Sequence, residues 1–229
     1  AIKAIICARG GNRAGTMLPH LDFSLIRKHP KAVMGYSDIT ALLSAIYAET
    51  GLVGFHGPML YGIGGGKPSR RQIAQGLALL SGEATDIPMP RAKILRPGTA
   101  KGRLVGGNLS LICSLMGTKW QPDFKDTILF LEDCDDELSR YDRMLQQLSN
   151  AGVYKQVAGI IFGSFTGNKD SGSLPFGLTM EEIFREALAG TKVPAVMNAP
   201  FGHGKDLYTF PVGGMARLAA IRNEISLQI

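Results

Sequence analysis

The chain has 229 residues, 45% of them apolar, with 29 glycines and 12 prolines. That length gives one large domain or two small ones with a proper core, and excludes a fibre or a disordered tail. The formal charge of +6 does not indicate nucleic acid, because only residues 67–71 and 93–103 are locally basic and neither stretch interleaves aromatics for base stacking.

No apolar run approaches a membrane span. The opening segment Ile2 to Cys7 has too short an apolar core for a secretory signal. Cys7, Cys113 and Cys134 are widely spaced, without a Cys-x-x-Cys pair. This argues against a disulfide framework or a zinc site and fits a reducing, cytoplasmic compartment. The modest positive charge is read as attraction for small anionic molecules.

Ile2 to Cys7 runs apolar like a buried parallel strand, and Arg9-Gly10-Gly11 ends it. A helix is expected over 15–28, with Leu18, Leu21, Leu25 and Ile26 as its stripe and Pro30 as its stop. Val33 and Met34 form a short strand that halts at Gly35. Tyr36 and Ser37 then turn the chain into a helix reaching about Glu49. Strand–helix–strand–helix favours a parallel sheet. Because parallel strands need crossover partners and only two strong strands precede Thr50, upstream sequence is expected to be missing.

Gly62 to Pro68 reads as a flexible connector, since Gly64-Gly65-Gly66 lacks the Lys-Ser/Thr of a phosphate loop. A helix over 70–80 leads into the proline-punctuated stretch 87–97, the expected domain junction. In the second half, 106–116 reads as a helix with a glycine-rich start, 127–133 as a strand ending in acids and 139–151 as a helix. Residues 157–165 read as a strand, 181–189 as a helix and 193–197 as a strand. Short strands of a small mixed or barrel-like sheet are expected over 207–229.

The turn at Ser37 is laid out like a nucleophile elbow, although Gly35-Tyr36-Ser37-Asp38 is not the usual Gly-x-Ser-x-Gly. The plainer alternative is that Ser37 or Asp38 caps the following helix. A serine nucleophile needs a base, and the base an orienting acid. Of four histidines, His20 and His29 lie among charges. His56 sits at a strand exit, and His203 in the polar, glycine-flanked loop Gly202-His203-Gly204. Such loops on rigid scaffolds often carry catalytic groups. Glu132 and Asp133 end a strand, where a carboxylate faces the crevice in which α/β proteins bind ligands. Their alternative reading is surface charge before a helix, with Asp135, Asp136 and Glu137.

Several blocks occur in a fixed order: Arg9-Gly10-Gly11, Leu18-Pro19, Leu21-Asp22, Gly35 to Leu42, Gly51-Leu52 and His56-Gly57-Pro58. Gly106 to Ser110, Leu129 to Asp133, Tyr141-Asp142-Arg143, Phe201-Gly202-His203 and Pro211-Val212-Gly213 follow. Together they span essentially the whole chain and resemble the L,D-carboxypeptidase family of serine peptidases, which includes muramoyl-tetrapeptide carboxypeptidases and microcin C self-immunity peptidases.

The resemblance implies an α/β protein of two parts. A flavodoxin-like parallel-sheet nucleophile domain is expected over 1–85, truncated at its N-terminus, and a smaller swivelling-type α/β domain over 86–229. It implies Ser37 as nucleophile, Glu132 as acid and His203 as base, with the backbone N–H groups of Gly10 and Asp38 as oxyanion hole. Asn108 and Arg143 are candidates for substrate binding; Arg140 and Arg143 have pairing with the upstream acids as their alternative, and Asn108 helix capping. His56 is expected to be a packed, hydrogen-bonded support. No metal or cofactor is expected. The implied activity is hydrolysis of an L,D-peptide bond that releases terminal D-alanine from a murein tetrapeptide during cell-wall recycling, by a homodimer. The alternatives are an immunity-type peptidase acting on a peptidyl-nucleotide antibiotic, which an aromatic stacking residue such as Trp120 would favour, and a non-catalytic peptide binder on the same fold. Family members commonly read Gly-Gly-Tyr-Gly where this chain has Gly10-Gly11-Asn12-Arg13, which alters the pocket beside the oxyanion loop.

Overall fold

A computed structural model describes residues 2–83 and 85–229. The first sheet begins with β1 (Ala4–Ile6). A 3₁₀ helix over Ala14–His20 and α1 (Phe23–Lys28) then lead to β2 (Ala32–Gly35). The single helix expected over 15–28 is thus two pieces. Pro19 lies inside the first, and Asp22 starts the second by accepting a hydrogen bond from the Leu25 N–H at 2.9 Å. Next come α2 (Ile39–Thr50), β3 (Gly54–His56), α3 (Leu60–Gly64) and α4 (Arg70–Leu80). The first turn of α4 is closed by a capping box between Ser69 and Gln72. The stretch read as a connector contains most of α3.

The second sheet starts with β4 (Asp86–Ile87), β5 (Lys93–Arg96) and β6 (Gly98–Asn108). Then follow α5 (Leu109–Leu115), β7 (Ile128–Cys134), α6 (Leu138–Asn150), β8 (Gly159–Thr166), α7 (Met180–Ala187) and β9 (Ala195–Met197). The chain ends with β10 (Phe210–Val212), β11 (Met215–Ile221) and β12 (Glu224–Gln228). The glycines expected to open a helix at 106–107 instead finish β6, and Asn108 is the N-cap of α5.

The sheets run in the orders β1-β2-β3-β10 and β4-β12-β11-β6-β7-β8-β9-β5. β1, β2 and β3 are parallel, as are β6 to β9, so each sheet has a parallel core; the first has an antiparallel edge only at β10, the second antiparallel strands at both ends. β10 crosses back to the first sheet and pairs antiparallel with β3, Phe210 opposite His56. The tail therefore forms no small sheet of its own: β10 joins one sheet, and β11 and β12 extend the other.

β7 shows why the site forms where it does. Leu129 and Leu131 enter the apolar cluster beneath α5, α6 and α7; Ile128 and Phe130 enter the opposite cluster, with Phe201 and Phe210. Successive strand residues point to opposite faces, so a strand buried on both sides reads as a continuous apolar run. The run stops where Glu132 and Asp133 begin, and there the register with β8 also shifts.

Candidate active site

Tyr36 and Ser37 lie in the turn between β2 and α2. Ser37 has φ of 63°, in the left-handed region that a residue with a side chain adopts rarely. Such strain recurs where a side chain must be held out of a turn. The capping alternative does not hold, because neither Ser37 nor Asp38 makes a side-chain cap on α2. Asp38 Oδ2 instead accepts hydrogen bonds from the N–H groups of Arg13 at 2.9 Å and Ala14 at 2.8 Å. The Ser37 turn is thereby tied to the loop that begins at Gly10.

Gly10 lies close against the serine. A Cβ on it would sit 3.0 Å from Ser37 Cβ and 3.2 Å from Ser37 Oγ. Among the described residues, the Gly10 and Asp38 N–H groups donate to no partner, and the Ser37 hydroxyl makes no hydrogen bond.

Glu132 is fully buried at the end of β7. Its Oε2 accepts from the His203 backbone N–H at 3.1 Å and lies 2.7 Å from His203 Nδ1. Gly202 permits this approach: it has φ of 92°, and a Cβ there would fall 2.5 Å from Glu132 Oε2. The His203 carbonyl accepts from Lys67 Nζ at 3.2 Å, and Asp206 accepts from Gln72 at 3.2 Å, so the loop is held from the first lobe as well. The His203 ring centre is 5.0 Å from that of Tyr36, the residue before Ser37. Burial pushes the imidazole pKa down, but the influence of Cys134 and of the hydrogen-bonded Glu132 prevails and raises it to about 10.

His56 is packed as expected but not hydrogen-bonded. Its ring sits 6.0 Å from Tyr36, 5.5 Å from Phe130 and 5.8 Å from Phe201, centre to centre. Both of its nitrogens are buried without a partner among the described residues. Burial lowers its pKa to about 4, which keeps it neutral.

A cavity of about 590 Å³ opens beside Ser37, with Arg13, Asn108, Ser110, Trp120 and Asp133 among its walls. Asn108 both lines it and caps α5, its Oδ1 accepting from the Leu111 N–H at 3.3 Å while its Nδ2 donates to Asp133 Oδ1 at 2.9 Å. Asp133 Oδ2 accepts from the Ser110 N–H at 2.9 Å. Burial raises the Asp133 pKa despite these donors. Arg143 is exposed on α6 and is not part of the cavity wall. Arg140 pairs with Asp136 at 3.3 Å. Sequence reasoning missed the wall residues Arg13, Ser110 and Thr16; only the departure at Asn12-Arg13 signalled that this loop differs. Among the described residues, no group of three His, Cys, Asp or Glu side chains is arranged to hold a metal ion.

Known proteins resemble this chain over most of its length. The LD-carboxypeptidase N-terminal domain model matches residues 1–57, and the LD-carboxypeptidase C-terminal domain model matches residues 101–218. The chain is 38% identical over 224 residues to the probable murein peptide carboxypeptidase of Bacillus subtilis (strain 168), covering 95% of this chain and 69% of that protein. It is 31% identical over 244 residues to the Microcin C7 self-immunity protein MccF of Escherichia coli, covering 93% and 71%. The crystal structure of muramoyltetrapeptide carboxypeptidase from Oxalobacter formigenes superimposes with a TM-score of 0.89 at 31% identity, covering all of this chain and 79% of that one. With both domain models matched and a relative 38% identical over 95% of this chain and 69% of its own length, the chain belongs to the LD-carboxypeptidase family of serine-type peptidases.

Proposed function

We propose that this serine carboxypeptidase cleaves the L,D-peptide bond of a murein tetrapeptide and releases the terminal D-alanine. Ser37 is the nucleophile, His203 the general base and Glu132 its orienting acid. The nucleophile comes from residues 1–85 and the other two groups from residues 86–229, with β10 returning to the first sheet. The observation that carries the reading is the 2.7 Å contact between Glu132 Oε2 and His203 Nδ1 in a loop packed against the Ser37 turn. A carboxylate on Nδ1 holds that nitrogen's proton and leaves Nε2 to take the serine proton.

Ser37 Oγ then attacks the scissile carbonyl, and the N–H groups of Gly10 and Asp38 receive the developing oxyanion. A donor of this kind contributes on the order of 3 kcal/mol. His203 passes the proton to the leaving amine, D-alanine departs, and water activated by His203 hydrolyses the acyl-enzyme. The family resemblance further suggests a cytoplasmic homodimer, which sedimentation would check.

Incubation with tetrapeptide and detection of free D-alanine by mass tests the reading, together with labelling by a fluorophosphonate probe. Release and labelling by wild type, both lost in Ser37→Ala, are expected. A folded protein that neither labels nor hydrolyses would overturn the assignment in favour of a peptide-binding role. Trp120 in the cavity wall favours a second reading, cleavage of a peptidyl-nucleotide amide. Faster turnover of such a substrate than of tetrapeptide would select it.

A further inference from the structure

We propose that the Arg13 guanidinium binds the substrate's terminal carboxylate and so restricts the enzyme to the last residue of a peptide; this rests on the carboxypeptidase reading above. The charges in the cavity lead to Arg13 by elimination. Two carboxylates, Asp38 and Asp133, lie in the wall and both are buried. Asp38 Oδ2 accepts from two backbone N–H groups, and both oxygens of Asp133 accept from Asn108, Ser110 and Cys134. Arg13 is the one cationic side chain in the wall among the described residues. Its guanidinium makes no hydrogen bond or ion pair among them, whereas Arg140 and Arg185, elsewhere on the surface, are both paired.

Position supports the same role. In a carboxypeptidase substrate, the terminal carboxylate lies one residue, about 3.5 Å of extended chain, beyond the scissile carbonyl. The group that recognises it must therefore lie beside the oxyanion donors. Arg13 is three residues after Gly10 on the same loop. Its backbone is fixed on both sides: the N–H donates to Asp38, and the carbonyl accepts from Thr16 Oγ1 at 2.8 Å. A planar fork on a pinned backbone is suited to bidentate binding of a carboxylate. Two buried polar atoms of wall residues have no partner among the described residues, the donor Trp120 Nε1 and the acceptor Asp38 Oδ1, so the exposed Arg13 guanidinium is the cationic group left to meet an anionic end.

The test compares a tetrapeptide ending in free carboxylate with the same peptide as its C-terminal amide, on wild type, Arg13→Ala and Arg13→Lys. Wild type should prefer the acid. Arg13→Ala should raise KM for the acid roughly ten- to a hundredfold, leave the amide unchanged and bring the preference close to one. Arg13→Lys should restore part of it. Because the side chain is exposed, the wild-type preference should shrink with added salt. Fluorophosphonate labelling of Ser37 should be unaffected in Arg13→Ala, which separates a local effect from misfolding. An Arg13→Ala protein that keeps the wild-type preference would overturn the proposal. If wild type hydrolyses neither peptide, the carboxypeptidase reading fails separately. Calorimetric binding to Ser37→Ala and to the double variant with Arg13→Ala then judges Arg13, and equal affinity for acid and amide in Ser37→Ala would rule it out.

Discussion

One oxygen of Glu132 accepts from both the ring nitrogen and the backbone N–H of His203, at 2.7 and 3.1 Å. The carboxylate thus holds the imidazole and the loop that carries it at a single point. Loop position and ring orientation are coupled, and changes at either partner should appear in both.

Replacing Glu132 with Gln keeps the shape but allows the amide to donate towards Nδ1, which favours the wrong tautomer. Turnover should fall roughly 10³- to 10⁴-fold with little change in KM, by analogy with the same change in other triads. Stopped assays with circular dichroism as the folding control would check this. Turnover within tenfold of wild type would remove Glu132 from the mechanism.

Gly202→Ala should disable the site without touching any reacting group. The new Cβ would meet Glu132 Oε2 at 2.5 Å in a backbone conformation with φ of 92°, which a residue with a side chain adopts at a cost of about 1–3 kcal/mol. A lower Tm and a loss of turnover are expected together. A variant with wild-type rate would mean that the loop relaxes without moving His203.

The pH dependence follows from His203. Its pKa is raised to about 10, and a general base must be unprotonated, so kcat/KM should climb with pH well above the ordinary histidine range. Cys134 contributes to that rise together with Glu132. Cys134→Ala should therefore move the rising limb to lower pH. A limb that stays put in this variant would show that the thiol does not tune the base.

His56 makes a prediction about stability instead. Its folded pKa, about 4, lies below the ordinary 6.5, so the unfolded chain binds the proton more readily. Stability is unaffected above pH 6.5, falls as pH drops from there, and reaches its full loss below about pH 4. The loss amounts to on the order of 3 kcal/mol. Melting curves across that window should show a steeper decline for wild type than for His56→Phe; parallel declines would refute the assignment.

The sequence exposed some elements and hid others for identifiable reasons. β7 was legible because a strand buried on both faces is a continuous apolar run that ends at Glu132 and Asp133. β6 was not, because Ala100, Gly102 and Gly106 occupy buried positions where strands usually carry branched side chains. Small residues are required there: a Cβ on Gly102 would meet the Asp126 carbonyl oxygen at 2.3 Å, and one on Gly106 the Phe130 carbonyl oxygen at 1.9 Å. Close packing against a neighbouring backbone is a tertiary demand, and it erased the local strand signal.

Taken alone, the order of residues determined the family, the α/β class and the three candidates Ser37, Glu132 and His203, because each lies in a short block whose chemistry is local. Only the folded chain decided what surrounds them. It put Asp38 on the N–H groups of the Gly10 loop, left Arg143 in solvent, lined the cavity with Arg13 and returned β10 to the first sheet. Those outcomes depend on contacts between segments far apart in sequence, such as Asp38 with Arg13 and Glu132 with His203, and no periodicity or spacing encodes such a pairing.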